Sequence, residues 1–101
     1  MQAVSDELAF LAHKEGDSVA IAVRDVEPGT GSLAVLGADG RRQITVAEPI
    51  PLGHKIALVD LAENTPVIEY GEPVGLACQD IAAGELVHIH NMRSAKWQLS
   101  A

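Results

Sequence analysis

One turn device recurs along this chain and sets the scale of everything between its copies. Asp25-Val26-Glu27-Pro28-Gly29, Asp60-Leu61-Ala62-Glu63-Asn64 and Asp80-Ile81-Ala82-Ala83-Gly84 each run Asp, aliphatic, two residues, then Gly or Asn. Asp can cap a single helical turn through its side chain, the aliphatic residue plugs a core, and Gly or Asn accepts a left-handed exit. Each copy is followed within a few residues by strand-like sequence. The copies are unequally spaced, so they are a repeated structural turn and not the unit of a solenoid. A chain interrupted this often has room for short strands.

The apolar pattern between the turns agrees. Val19, Ile21 and Val23 alternate with Ala20, Ala22 and Arg24, a strand period. Further short strands are predicted over 32–36, 43–46, 55–59, 67–70, 74–77 and 85–92, with strong turn chemistry at Gly37-Ala38-Asp39-Gly40. Pro49 and Pro51 bracket Ile50 and suggest a loop or a sheet edge. Many short strands between turns mean an all-β fold. The one exception expected is a short N-terminal helix over 6–14. Ser5 would cap it, Val4, Leu8 and Leu11 keep helical spacing, His13 and Lys14 suit its last turn, and Gly16 its stop. The division expected is an extension over 1–15, one β domain over 16–92, and a tail over 93–101 in which Trp97 and Leu99 dock on a neighbour or partner.

A chain of 101 residues makes one domain. Only 3% of its residues are aromatic, so its core is aliphatic and offers no floor for stacking a base or a nicotinamide ring. The single cysteine, Cys78, excludes an internal disulfide framework and fits a reducing compartment as a buried, inert thiol. The first twelve residues lack the pattern of a signal peptide, and no apolar run reaches the roughly 20 residues of a membrane span. A soluble, cytoplasmic protein with no membrane partner is the expectation.

The net charge of −7 argues against nucleic acid as a partner. That charge is uneven, however. No acid follows Glu85, while His88, His90, Arg93 and Lys96 do; 49–59 likewise holds His54 and Lys55 without an acid. If the two stretches meet in space they form one anion-attracting pocket. Within a strand over 85–92, His88 and His90 would share a face about 6–7 Å apart, and Val87 and Ile89 would point into the core.

In order, Gly53-His54-Lys55-Ile56-Ala57-Leu58, Asp60-Leu61-Ala62, Val67-Ile68-Glu69-Tyr70-Gly71, Pro73-Val74-Gly75, Asp80-Ile81-Ala82-Ala83-Gly84 and Val87-His88-Ile89-His90-Asn91 form a series that resembles the SAF domain. More narrowly, it is similar to the N-terminal domain of altronate and galactarate dehydratases, which also occurs as a separate small subunit, and the sulfolactate sulfo-lyases use a related one. The resemblance covers about 16–91. Residues 1–15 lie beyond the family's usual start, and Asn64 stands where Gly is common. A compact β-clip fold is implied, together with a role in sugar-acid dehydration beside a larger lyase subunit that this chain lacks. A divalent metal (Fe2+, Mn2+ or Mg2+) and an anionic sugar-acid substrate are implied by the same resemblance, and a homo-oligomer is compatible with it.

Dehydration abstracts a proton alpha to a carboxylate and expels a beta hydroxyl, and a divalent metal can stabilise the charge that develops. With the resemblance in hand, His88 and His90 are the expected metal ligands, and His54 or a partner chain supplies a third. The same three histidines are the catalytic candidates, since imidazole also serves as acid or base near neutral pH. Lys55 and Arg93 are candidates to hold the substrate carboxylate. Asn91 would donate to a substrate hydroxyl or tie the strand end to a loop. His13 is expected to be a helix-end charge. The isolated subunit should be inactive. Competing readings are a noncatalytic carbohydrate- or sugar-acid-binding module and an assembly domain.

Overall fold

A computed structural model describes residues 7–94, and these contain strands, bends and turns but no helix. The strands are β1 (Leu8–Ala12), β2 (Val19–Ala22), β3 (Gly29–Val35), β4 (Arg42–Val46), β5 (Lys55–Ala57), β6 (Pro66–Glu69), β7 (Glu72–Ala77), β8 (Leu86–Val87) and β9 (Met92–Ser94). Six of them form one sheet in the order β4-β3-β1-β2-β5-β8, and the other three a second sheet, β6-β7-β9. Only the β1–β3 pairing is parallel. The fold is all-β, as the turn spacing requires.

The expected N-terminal helix is replaced by β1. Leu8 to Ala12 is an unbroken run of five apolar residues, and such a run carries no period that separates helix from strand. It lies between β2 and β3 with Ala9, Phe10 and Ala12 fully buried, which is why it does not alternate. The expected cap, Ser5, and the first helical residue, Asp6, fall outside the described residues, as do Trp97 and Leu99.

Burial around β2, β5 and β8 shows how the two sheets share the chain. Ala20 and Ala22, Ile56, and Leu86 pack into one cluster with Phe10, Leu33 and Ile50. Their neighbours Val19, Ala57 and Val87 pack into another with Leu61, Val67 and Ile81. Consecutive residues thus face opposite apolar clusters, because side chains alternate across a strand that is covered on both sides. The small residues Ala20 and Ala22 leave room for Phe10, one of the few large side chains buried here.

The recurring turns pair off. Val26 and Ile50 form an isolated antiparallel bridge, and so do Leu61 and Ile81. Each of these four plugs is buried. The aspartates reach across each pair instead of capping their own turns. Asp60 Oδ1 accepts the Ala83 N–H and Asp80 Oδ1 accepts the Glu63 N–H, both at 2.9 Å. In the first pair Asp25 Oδ1 accepts the Leu52 N–H at 2.8 Å. Its mate, Pro49-Ile50-Pro51-Leu52-Gly53, is a fourth copy with Pro in place of Asp, and so cannot return the bond. At the far edge of the sheet, Arg42 clasps Glu15 through both terminal nitrogens, and this hydrogen bonding holds the Glu15 carboxyl below the usual carboxylate range.

Candidate functional site

Strands β5 and β8 pair antiparallel, with Lys55 opposite Val87 and Ile56 opposite Leu86. One step further in that register sets His54 opposite His88. Their ring centroids lie 4.8 Å apart with the planes tilted by 51°. Both rings line an open pocket of about 330 Å³, together with Lys55, Ile89 and Met92. His54 Nδ1 faces the Leu52 carbonyl at 3.4 Å. An N–H donated there leaves Nε2 with its lone pair for a ligand or a proton.

The expected strand over 85–92 does not form. It stops at Val87, and 88–91 turn back into β9. The cause is Asn91, which is buried and binds the turn from inside. Its Oδ1 accepts the His88 N–H at 2.9 Å and its Nδ2 donates to the Leu86 carbonyl at 2.7 Å. The Asn91 and Met92 N–H groups both donate to the His88 carbonyl. Side-chain bonding of this kind competes with a ladder and wins at a chain reversal.

Two expectations change with that turn, and the open choice for Asn91 is resolved. His90 is exposed, lies in the turn and does not line the pocket, so His88 and His90 do not share a strand face. Ile89 is 84% exposed at the pocket rim instead of entering the core. Asn91 is a buried brace with its amide engaged at both ends, the second of the two roles expected for it, tying the strand end to the turn. Arg93 is exposed on β9 and does not line the pocket. Among the described residues the two cationic stretches therefore meet through His54, Lys55 and His88. Cys78 is half-buried and free.

Lys55 is tied to a group that sequence reading left without a role. Its Nζ lies 3.9 Å from Glu69 Oε1, and Glu69, on β6, is buried. The other carboxylate oxygen lies 3.5 Å from His13 Nδ1. His13 follows β1 and stacks on Tyr70, ring centroids 3.9 Å apart, so it is not the helix-end charge expected. Tyr70 and Gly71 form the two-residue loop of the β6–β7 hairpin, with φ of 58° and 75°. Positive φ at both positions is what such a loop needs, and it is unusual for tyrosine. Buried Asp17 holds it by accepting both N–H groups, at 2.9 and 3.0 Å. The sequence did carry a signal here: Glu-Tyr-Gly at a hairpin tip, within the resemblance.

The donors present fit part of a metal site. His54 and His88 can offer two nitrogens, whereas a protein-bound zinc-like ion takes three or four protein ligands. Among the described residues no group of three or more His, Cys, Asp or Glu side chains is placed to hold an ion alone.

Residues 8–95 match the family model described as the altronate/galactarate dehydratase SAF domain. The chain belongs to that family. The match begins at residue 8, with β1, inside the stretch expected to be an extension. The SAF domain is 40% identical over 90 residues to the (2R)-sulfolactate sulfo-lyase subunit alpha of Chromohalobacter salexigens, covering 87% of this chain and 96% of that one. It is 42% identical over 86 residues to the altronate dehydratase of Bacillus subtilis, covering 85% of this chain but only 16% of the dehydratase. With the altronate dehydratase of Escherichia coli it shares 42% identity over 78 residues, 77% of this chain and 15% of that enzyme. The SAF domain therefore spans nearly all of one relative and about a sixth of the others.

Proposed function

We propose that this SAF domain is the small subunit of a sugar-acid dehydratase of the altronate/galactarate type, a hydro-lyase, and forms one wall of an active site that a larger chain completes. The observation that carries the reading is the pocket in which His54 and His88 stand 4.8 Å apart beside Lys55. Lys55 holds the substrate carboxylate as a point charge. A free Nε2 on either imidazole takes or returns a proton next to that carboxylate. A divalent ion held by the two imidazoles and by ligands from the larger chain would polarise the leaving hydroxyl. The exposed Ile89 and Leu52, at the tips of the loops that carry the histidines, give the larger chain an apolar rim to cover. The β-clip architecture belongs to the same reading.

A second reading, the corresponding subunit of a sulfo-lyase, is favoured by the near-complete span over the sulfolactate subunit. Both reactions eliminate a beta substituent from a hydroxy acid, so the same pocket serves either one.

Assembly tests the proposal. The full chain is mixed with a cognate large subunit, and turnover of D-altronate, galactarate and (2R)-sulfolactate is followed. Turnover of one of them by the mixture, with neither chain active alone, is expected. Full activity of the large chain by itself contradicts it, and sugar-acid binding by the small chain that persists without both pocket histidines points to a noncatalytic module.

A further inference from the structure

We propose that Glu69 is a positioning residue, whose buried carboxylate holds the Lys55 ammonium at the wall of the histidine pocket. The inference rests on the reading of that pocket given above. A lysine head is strongly hydrated and rides on a flexible four-carbon stem, so by default it extends into water. Lys55 does not. Its side chain is 28% exposed, and its Nζ lies 3.9 Å from a carboxylate whose own side chain is only 10% exposed.

A carboxylate withdrawn from water needs a cationic or hydrogen-bonding partner. Glu69 faces Lys55 with one oxygen and His13 with the other. His13 is anchored in turn by its stack on Tyr70, and Tyr70 by Asp17. Glu69 and Tyr70 belong to the β6–β7 hairpin, whereas His13 follows β1 and Lys55 opens β5. The link thus joins one sheet to the other through Lys55, a residue of the pocket lining. A carboxylate so close to the anchor lowers its net attraction for an anion. Its benefit is direction, since it fixes where the ammonium sits. These two effects move the Michaelis constant in opposite directions, and this makes the proposal testable.

Glu69→Gln keeps the shape and removes the charge. In the full chain, acetylation of lysine amines by an N-hydroxysuccinimide ester is followed residue by residue by mass spectrometry. Lys55 is expected to label about two- to fivefold faster in the variant, the range of a partly exposed ion pair, with exposed Lys14 unchanged. In the assembled enzyme the same variant should raise KM for the anionic substrate and leave kcat nearly constant. Unchanged Lys55 labelling, a parallel rise at Lys14, or a lower KM overturns the proposal. In the unaltered chain Lys55 should label more slowly than Lys14, and equal rates overturn it without any variant. Absence of turnover with every acid tried would strike the dehydratase reading alone, because the labelling is independent of it.

Discussion

Asn91 shows how one amide decides the shape of the site. By accepting from the His88 N–H and donating to the Leu86 carbonyl it ends β8 after two residues and aims His88 across at His54. Asn91→Ala leaves both backbone groups without their partner and opens a small void, so a loss of about 1–3 kcal/mol in unfolding free energy is expected from chemical denaturation. A loss within error of zero would mean that the turn holds without its brace. The sequence pointed to His54, Lys55 and His88, all of which reach the pocket. It misplaced His90 because alternation assumes that the strand continues. A side chain bonding backward to the main chain three residues earlier leaves no mark in the apolar pattern.

Among the elements, the paired turns connect sequence and packing most directly. Asp60 and Asp80 each bind an N–H of the other turn, beside the Leu61–Ile81 bridge. Loss of either carboxylate should cost about 1 kcal/mol, as a lost helix cap does. Because both aspartates clasp the same pair of turns, Asp60→Ala and Asp80→Ala should be coupled by about 0.5 kcal/mol or more in a double-mutant cycle. Strict additivity would mean that the two bonds act separately. These turns were legible from their Asp-aliphatic beginning and Gly or Asn ending. That they pair in space was not, since the mate of Asp25 begins with Pro49. The strands between them were likewise legible, wherever one face is apolar or turn residues mark the ends. β1 was not, because burial on both faces removes the alternation that distinguishes a strand.

At the scale of the molecule, the two sheets and their two apolar clusters bring one loop before β5 and one after β8 to the same edge of the six-stranded sheet. The pocket there is open, is lined by two histidines and a lysine, and among the described residues has too few donors to hold a metal by itself. On the function proposed above a larger chain closes this wall, a reading supported by relatives in which the domain is a named subunit or a sixth of a dehydratase. The most direct test compares the three histidines in the assembled enzyme. His54→Ala and His88→Ala should each lower kcat at least about a hundredfold while assembly, followed by co-elution, is retained, and His90→Ala should turn over at the parent rate. Turnover that depends on His90 and survives the loss of His54 and His88 would contradict the account.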